Sequence, residues 1–369
     1  MWTDKGNIED VFAKYHHILT KYGCSDMDIL ALQNMWNEPH RFYHNQEHLE
    51  EILGLIEGER FNLTDVDHLE ESEANTLWYD TLIVTAFFHD AIYDPHSKTN
   101  EEESAELFKQ MCVKAQPEFI KVVENCILDT KDHTITATSI YSDQFLKFDL
   151  NGMINGSLTR MISDEAKIMR EFGFVDYDTY KNVRGISFLE KFAPHVKSIN
   201  PNSQVDSYID WFKNRVPNIA IYPGSFFPFH KGHLDILKRA ERVFDKVIIL
   251  LCVNPTKNNN VDHMRTYLSV LRKKLPNNQI EFYDGMLHNY IKLLKAPINA
   301  PVNVTIVKGL RSASDFDAEK LQLRFMEDMS PDINVMYIVS DRKFEHVSSS
   351  AIKQIQSMGS INEANEYLI

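Results

Sequence analysis

Apolar residues recur along this chain in two rhythms. From Ile8 to about Leu128 they fall at helical spacing: Phe12, Tyr15, Ile18 and Leu19 share one face, and Leu49, Ile52, Leu53 and Ile56 share another. The stretch 72–88 predicts a helix ending in the strongly apolar run Leu82-Ile83-Val84-Thr85-Ala86-Phe87-Phe88. Further helices are expected over 101–111, 119–128, 177–192 and 205–212. Gly and Pro are sparse in this half, and nothing in it alternates as a strand.

After about residue 218 strands and helices alternate. Strands are expected over 219–222, 246–253, 280–283, 302–307 and 335–339, and helices over 233–243, 264–274, 287–294, 318–329 and 349–357. The run Val247-Ile248-Ile249-Leu250-Leu251 reads as a strand buried on both faces. The alternation predicts a parallel sheet in a doubly wound, Rossmann-like α/β domain. The expected fold is therefore multidomain, all-α and then α/β. Pro194, Pro201 and Pro217 punctuate the joint, giving expected bounds of 1–194, a linker over 195–217 and 218–369.

Composition adds limits. The formal charge of -14 and the absence of a basic stripe argue against nucleic-acid partners. No apolar run reaches the length of a bilayer span, so no membrane partner is expected. Cys24, Cys112, Cys126 and Cys252 form no short-spaced pair, which argues against a disulfide framework or a cysteine zinc site. With no signal-peptide pattern at residues 1–10, a reducing cytoplasm is the expected setting.

Ligands of parallel sheets gather at the carboxyl ends of the strands. The loops there are 224–233, 254–257, 308–311 and 340–350, all rich in groups that bind phosphate. Four ordered motifs occupy them. Tyr222-Pro223-Gly224-Ser225-Phe226 leads to Gly232-His233-Leu234-Asp235; Phe244-Asp245-Lys246-Val247 leads to Val253-Asn254-Pro255-Thr256-Lys257; Val307-Lys308-Gly309-Leu310-Arg311 precedes Ser314-Asp315-Phe316-Asp317; and Val347-Ser348-Ser349-Ser350 closes the set. This half resembles the nucleotidyltransferases with a His-x-Gly-His signature, specifically the phosphopantetheine adenylyltransferases. The resemblance implies transfer of an adenylyl group from ATP, with Mg2+, to a phosphomonoester. It implies catalytic roles for His233, Lys257 and Arg311, and nucleotide contacts from Gly224, Ser225, Phe226, His230, Lys308, Gly309, Ser348, Ser349 and Ser350. Two departures bear on the acceptor. Phe227 stands where an Asp is usual, and Lys308 where an Arg is usual. The run from Phe226 to His233 instead resembles the first motif of some nicotinamide mononucleotide adenylyltransferases, which leaves that acceptor as the alternative. Phosphopantetheine adenylyltransferases form hexamers, so a homo-oligomer is an expectation that no residue here carries by itself.

In the helical half, ionisable residues cluster. His44 and His48 lie in Arg41-Phe42-Tyr43-His44-Asn45-Gln46-Glu47-His48, His89-Asp90 ends the most apolar helix, and Asp149 follows Phe148. Two imidazoles and two carboxylates suit a divalent metal with open positions; hydrogen-bonded helix-end pairing is the other reading. The pattern extends through Ala91-Ile92-Tyr93-Asp94, Asn100-Glu101, Ser104-Ala105, Thr130-Lys131, His133, Asp149-Leu150, Tyr177, Tyr180 and Arg184. It resembles the HD-domain metal-dependent phosphohydrolases over about residues 34–184. That resemblance implies His44, His89, Asp90 and Asp149 as ligands of Mn2+, Mg2+, Zn2+ or Fe2+, with His48 beside the ligand set or facing substrate. The substrate would be a phosphorylated small molecule or nucleotide. Asp94 then positions water or protonates the leaving group, or is a solvated loop carboxylate. Lys131, His133 and Arg184 are phosphate contacts or ordinary surface charges. The expectation is a bifunctional enzyme, with a regulatory HD module as the alternative.

Overall fold

The computed structural model describes residues 10–67, 73–131, 139–253 and 261–369. Two expected site residues, His133 and Lys257, lie outside them. The chain forms two compact units: Met1–Glu171 with Phe192–Tyr208, and Phe172–Lys191 with Ile209–Ile369.

The first unit is helical: α1 Val11–Tyr22, α2 Asp26–Trp36, α3 Gln46–Asp67, α4 Glu73–Phe88, α5 Asn100–Met111, α6 Pro117–Asp129, α7 Ile140–Asp149, α8 Asn151–Ile154 and α9 Leu158–Glu171. Helices α1, α3, α4, α5 and α6 match expected apolar faces; α2 lies in the same helical stretch without a separately expected range, and α7, α8 and α9 extend the pattern. The α4 run Leu82, Ile83, Val84, Ala86, Phe87 and Phe88 has no exposed surface and runs through the centre of the core. Phe87 meets Phe12 and Tyr15 edge-on, and its carbonyl accepts from Trp36 Nε1 at 2.9 Å. Asp94 would lie one turn beyond Asp90 if the helix continued, the other expectation being a solvated loop carboxylate. Helix α4 ends at Phe88 instead, and Asp94 sits in an exposed turn. The buried thiols of Cys24 and Cys112 touch at 3.5 Å, a long-range contact that sequence spacing did not reveal.

The segment 172–214 holds α10 Tyr177–Lys181, a π-helical stretch Asn182–Leu189, α11 Glu190–Ile199 and α12 Val205–Asn214. Pro194 was expected to punctuate the chain, yet it lies inside α11. The preceding π-helical stretch closes at Glu190, whose N–H bonds Gly185 O, so Pro194 falls in the first part of the regular helix.

The second unit carries five parallel strands: β1 Asn218–Gly224, β2 Lys246–Cys252, β3 Gln279–Tyr283, β4 Asn303–Leu310 and β5 Asn334–Val339, in the order β3-β2-β1-β4-β5. Side chains alternate between two cores. Ala220, Tyr222, Val247, Ile249 and Leu251 face one side, and Ile221, Leu250, Val304 and Ile306 the other. The helices are α13 Lys231–Ala240, α14 Val261–Lys274, α15 Leu287–Leu294, α16 Ala313–Met329, α17 Ser349–Ser357 and α18 Ile361–Asn365. Helix α16 begins earlier than expected because Ser312 caps it, accepting from Asp315 N. Lys308 and Gly309 were expected in a loop. They belong to the C-terminal end of β4, whose pairing with β5 continues to Leu310 opposite Val339.

Lys246 opens β2 with its ammonium buried. It donates to Gly173 O and, at 2.7 Å, to Val175 O, tying the chain just before α10 to the sheet. Burial pulls its pKa down to about 7. Lys246→Met leaves two carbonyls without a donor. We expect it to cost about 3 kcal/mol, read as faster hydrogen exchange of the β2 amides in rising urea.

Candidate functional site

In the helical unit, α4 delivers His89 and Asp90 to its C-terminal end, the first turn of α3 delivers His48, and the last residue of α7 is Asp149. His48 Nε2 lies 3.0 Å from Asp149 Oδ1. Ligand atoms of His48, His89 and Asp149 all fall within 4.8 Å of one another. His89 Nδ1 is 2.9 Å from Ala86 O, so that nitrogen carries a hydrogen and donates. Its Nε2 is buried without a hydrogen-bond partner, 3.3 Å from Asp90 Oδ2 and 3.8 Å from Asp149 Oδ1. An imidazole lone pair aimed at two carboxylates is repelled unless a proton or a cation lies there. Burial opposes charge on His89, but Asp90 and Asp149 outweigh it and push the ring up to about 9. Burial likewise opposes charge on Asp90, and His89 more than offsets it, holding the carboxyl well below its usual range. The donor set thus fits a divalent cation.

His44 has a different partner. Its Nδ1 lies 2.7 Å from Glu171 Oε2, the last residue of α9. Glu171 Oε1 also accepts from the backbone N–H groups of Phe42, Tyr43 and His44 at 2.7, 2.6 and 3.0 Å. Tyr93 OH donates to Oε2 at 2.7 Å, and the Tyr93 ring stacks on His44 at 4.4 Å. Burial opposes the charge, but His44 and these donors hold Glu171 down to about 2, and Glu171 in turn raises His44 against the same burial. Arg41, with no exposed side-chain surface, fastens the turn after α4. Its guanidinium donates to Asp90 O at 2.6 Å and Ala91 O at 2.8 Å, and to Glu38 at 2.9 Å. The structure therefore gathers His48 with His89, Asp90 and Asp149, and turns His44 Nδ1 toward Glu171.

The outlying candidates have other partners. Asp94 Oδ1 accepts from His96 N at 2.9 Å, closing its own turn. Lys131 is held by the Glu102 carboxylate and donates to Lys98 O at 2.7 Å. Arg184 belongs to the other unit, its guanidinium 4.5 Å from the Phe188 ring centroid.

In the α/β unit, three of the expected loops meet in one cavity of about 380 Å³, within the usual range for small-molecule sites. Gly224, Ser225, Phe226, His230 and His233 line it from the β1–α13 connection. Lys308, Gly309 and Arg311 enter from the end of β4, and Ser348, Ser349 and Ser350 from the start of α17. His230 caps α13. Its Nδ1 accepts from His233 N and His233 Nδ1 accepts from His230 N, each at 3.3 Å, with the rings stacked at 3.5 Å. Both Nδ1 atoms act as acceptors, so each neutral ring carries its hydrogen on Nε2 and presents a donor. Burial first, and then Arg311, pull His230 down to about 4. Phe226 takes φ +47, a left-handed conformation that a side chain adopts at a cost of roughly 1 kcal/mol. Its buried ring packs on Tyr222 and His233 and fills the space beside Gly224, where a Cβ would meet it at 2.8 Å.

The cations of the cavity are held by carboxylates: Lys308 Nζ lies 3.0 Å from Glu319, and Arg311 forms a two-pronged pair with Asp315 at 3.1 Å. Ser348 caps α17 by accepting from Ala351 N, while Ser349 Oγ donates to Pro228 O at 2.9 Å.

The His230 environment sets a pH dependence. Its folded pKa lies below the ordinary 6.5, so the unfolded chain binds more protons between about 4 and 6.5. Stability of the α/β unit should fall by up to about 3 kcal/mol as pH drops through that window. His230→Asn, which keeps a cap acceptor but does not titrate, should show a smaller loss between pH 7 and 4.5 in urea unfolding.

The cytidylyltransferase-like family matches residues 221–355. Phosphopantetheine adenylyltransferase of Clostridium tetani is 36% identical over 144 residues, 38% of this chain and 86% of that protein. The Clostridium botulinum enzyme of the same name is 35% identical over 142 residues, covering 38% of this chain and 82% of its own length. That of Caldanaerobacter subterraneus subsp. tengcongensis is 34% identical over 143 residues, with 38% and 85% covered. Through this C-terminal region, which holds the cavity of His230 and His233, the chain belongs to the phosphopantetheine adenylyltransferase family of cytidylyltransferase-like proteins.

Proposed function

We propose that the chain is a bifunctional enzyme, an ATP-dependent adenylyltransferase joined to a metal-dependent phosphohydrolase. In the first reaction a phosphate oxygen of the acceptor attacks the α-phosphorus of MgATP. A new P–O–P bond forms, the α–β bond breaks, and pyrophosphate leaves. No covalent intermediate with the protein is involved, so catalysis consists of positioning and charge stabilisation. The carrying observation is the reciprocal capping of His230 and His233, two histidines that line one cavity with Lys308 and Arg311. His233 stabilises the α-phosphate as charge builds on it, and His230, Ser348, Ser349 and Ser350 hold the outer phosphates. Lys257 bridges acceptor and α-phosphate in this scheme. The relatives' name makes phosphopantetheine the first acceptor to try, and Phe227 makes nicotinamide mononucleotide the second.

For the hydrolase, His48, His89, Asp90 and Asp149 would hold a divalent cation, which lowers the pKa of water and screens phosphate charge. His44, oriented by Glu171 and stacked on Tyr93, then serves as the proton donor to the leaving oxygen. The unpartnered Nε2 of His89 supports this reading.

Pyrophosphate should appear when the protein is given MgATP and phosphopantetheine, and His233→Ala should slow it by about a hundredfold or more. No pyrophosphate with any phosphomonoester would overturn the transferase. In the other unit, metal analysis should find a bound divalent ion that Asp149→Asn and His48→Ala lose, together with phosphate release from phosphomonoesters. Glu171→Gln should keep the metal and lower kcat, and an unchanged kcat would remove His44 from that role.

A further inference from the structure

The motif that caps α13 is held from the far end of the chain. Lys231 N, the first helical amide of α13, donates to Tyr367 O at 2.8 Å, and His230 pairs with Leu368 as an isolated antiparallel bridge. Tyr367 and Leu368 also pack on a small core of Val347, Ile352 and Ala364. Val347 immediately precedes the Ser348 cap of α17 and lines the cavity. The last turn of the chain therefore touches both elements that carry the expected phosphate contacts. Those elements are joined a second time by Ser349 Oγ and Pro228 O. The backbone of His230 is extended, φ -134 and ψ 169, which is the conformation a strand-like bridge selects.

We propose that Tyr367 and Leu368 are positioning residues for adenylyl transfer: they hold the His230–His233 turn so that its two ring donors face the nucleotide phosphates. This rests on the adenylyltransferase reading above. The segment acts through the backbone of the turn, so its loss frees the capped histidines to rotate away without removing any group that touches ATP.

Lys231 supplies a clean test. Position 231 is the first of the helix, where proline is tolerated, and the extended His230 before it suits a following proline. Lys231→Pro deletes the N–H that bonds Tyr367 O, and Lys231→Ala removes the exposed side chain and keeps that N–H. MgATP is titrated by calorimetry into the 369-residue chain, into both variants and into a chain ending at Glu366. Arg311→Ala, by weakening the heat, assigns binding to this cavity. The expected result is wild-type affinity in Lys231→Ala and a fivefold to tenfold loss in Lys231→Pro and in the shortened chain. The KM for ATP should rise in parallel, and in Lys231→Pro, which removes no packed side chain, the thermal midpoint should move little. Should Lys231→Pro not fold, the shortened chain carries the comparison. Wild-type affinity and turnover in either would overturn the proposal. A parent protein that binds no MgATP would instead overturn the nucleotide reading, and this one with it.

Discussion

The Glu171 carboxylate takes hydrogen bonds from three successive backbone amides, a histidine ring and a tyrosine hydroxyl, with none of its side chain exposed. A charge buried with fewer partners would cost several kcal/mol. The turn at Phe42 to His44, the His44 ring and Tyr93 must therefore arrive together. The Arg41 guanidinium obeys the same constraint on the other side of that turn, spending its donors on the carbonyls of Asp90 and Ala91. The geometry of the metal candidates follows from these two charges, because the chain entering α3 and the chain leaving α4 are each fastened by one of them.

The histidines of the two units sit in opposite fields. His44 and His89 stand among carboxylates, which favour a positive charge at that place whether a proton or a metal supplies it. His230 stands in a buried site beside Arg311, and both disfavour a proton on its ring. The same residue type is thus drawn toward a positive charge in one unit and away from it in the other.

Where pattern and chemistry are local, the sequence was legible. The run Val247 to Leu251 is the buried β2, and α15 and α17 match their expected bounds. The Gly-His loop, Lys308, Arg311 and the three serines meet in one cavity as their places at strand ends require. The separate partners of His44 and His48 were not legible. They depend on where α3 begins: His48 lies in the first turn of the helix and His44 just before it, and capping-level boundaries are not resolved by periodicity. Glu171 gave even less signal. A lone acid at the C-terminal end of a helix, where the dipole disfavours it, reads as a surface residue until its partners, 78 to 129 residues away in sequence, are seen. The unfavourable position was the one available hint. Tyr367 and Leu368 act through backbone atoms, which no side-chain pattern reports.

Phe172–Lys191 belongs with the sheet, held there by Lys246, while the following Phe192–Tyr208 belongs with the helices. The chain thus passes from one unit to the other three times. No single break in the polypeptide, whether made by a protease or by a rearranged gene, yields two pieces that each hold a whole unit. Any single-cut fragment leaves behind part of its own structure or carries part of its neighbour's.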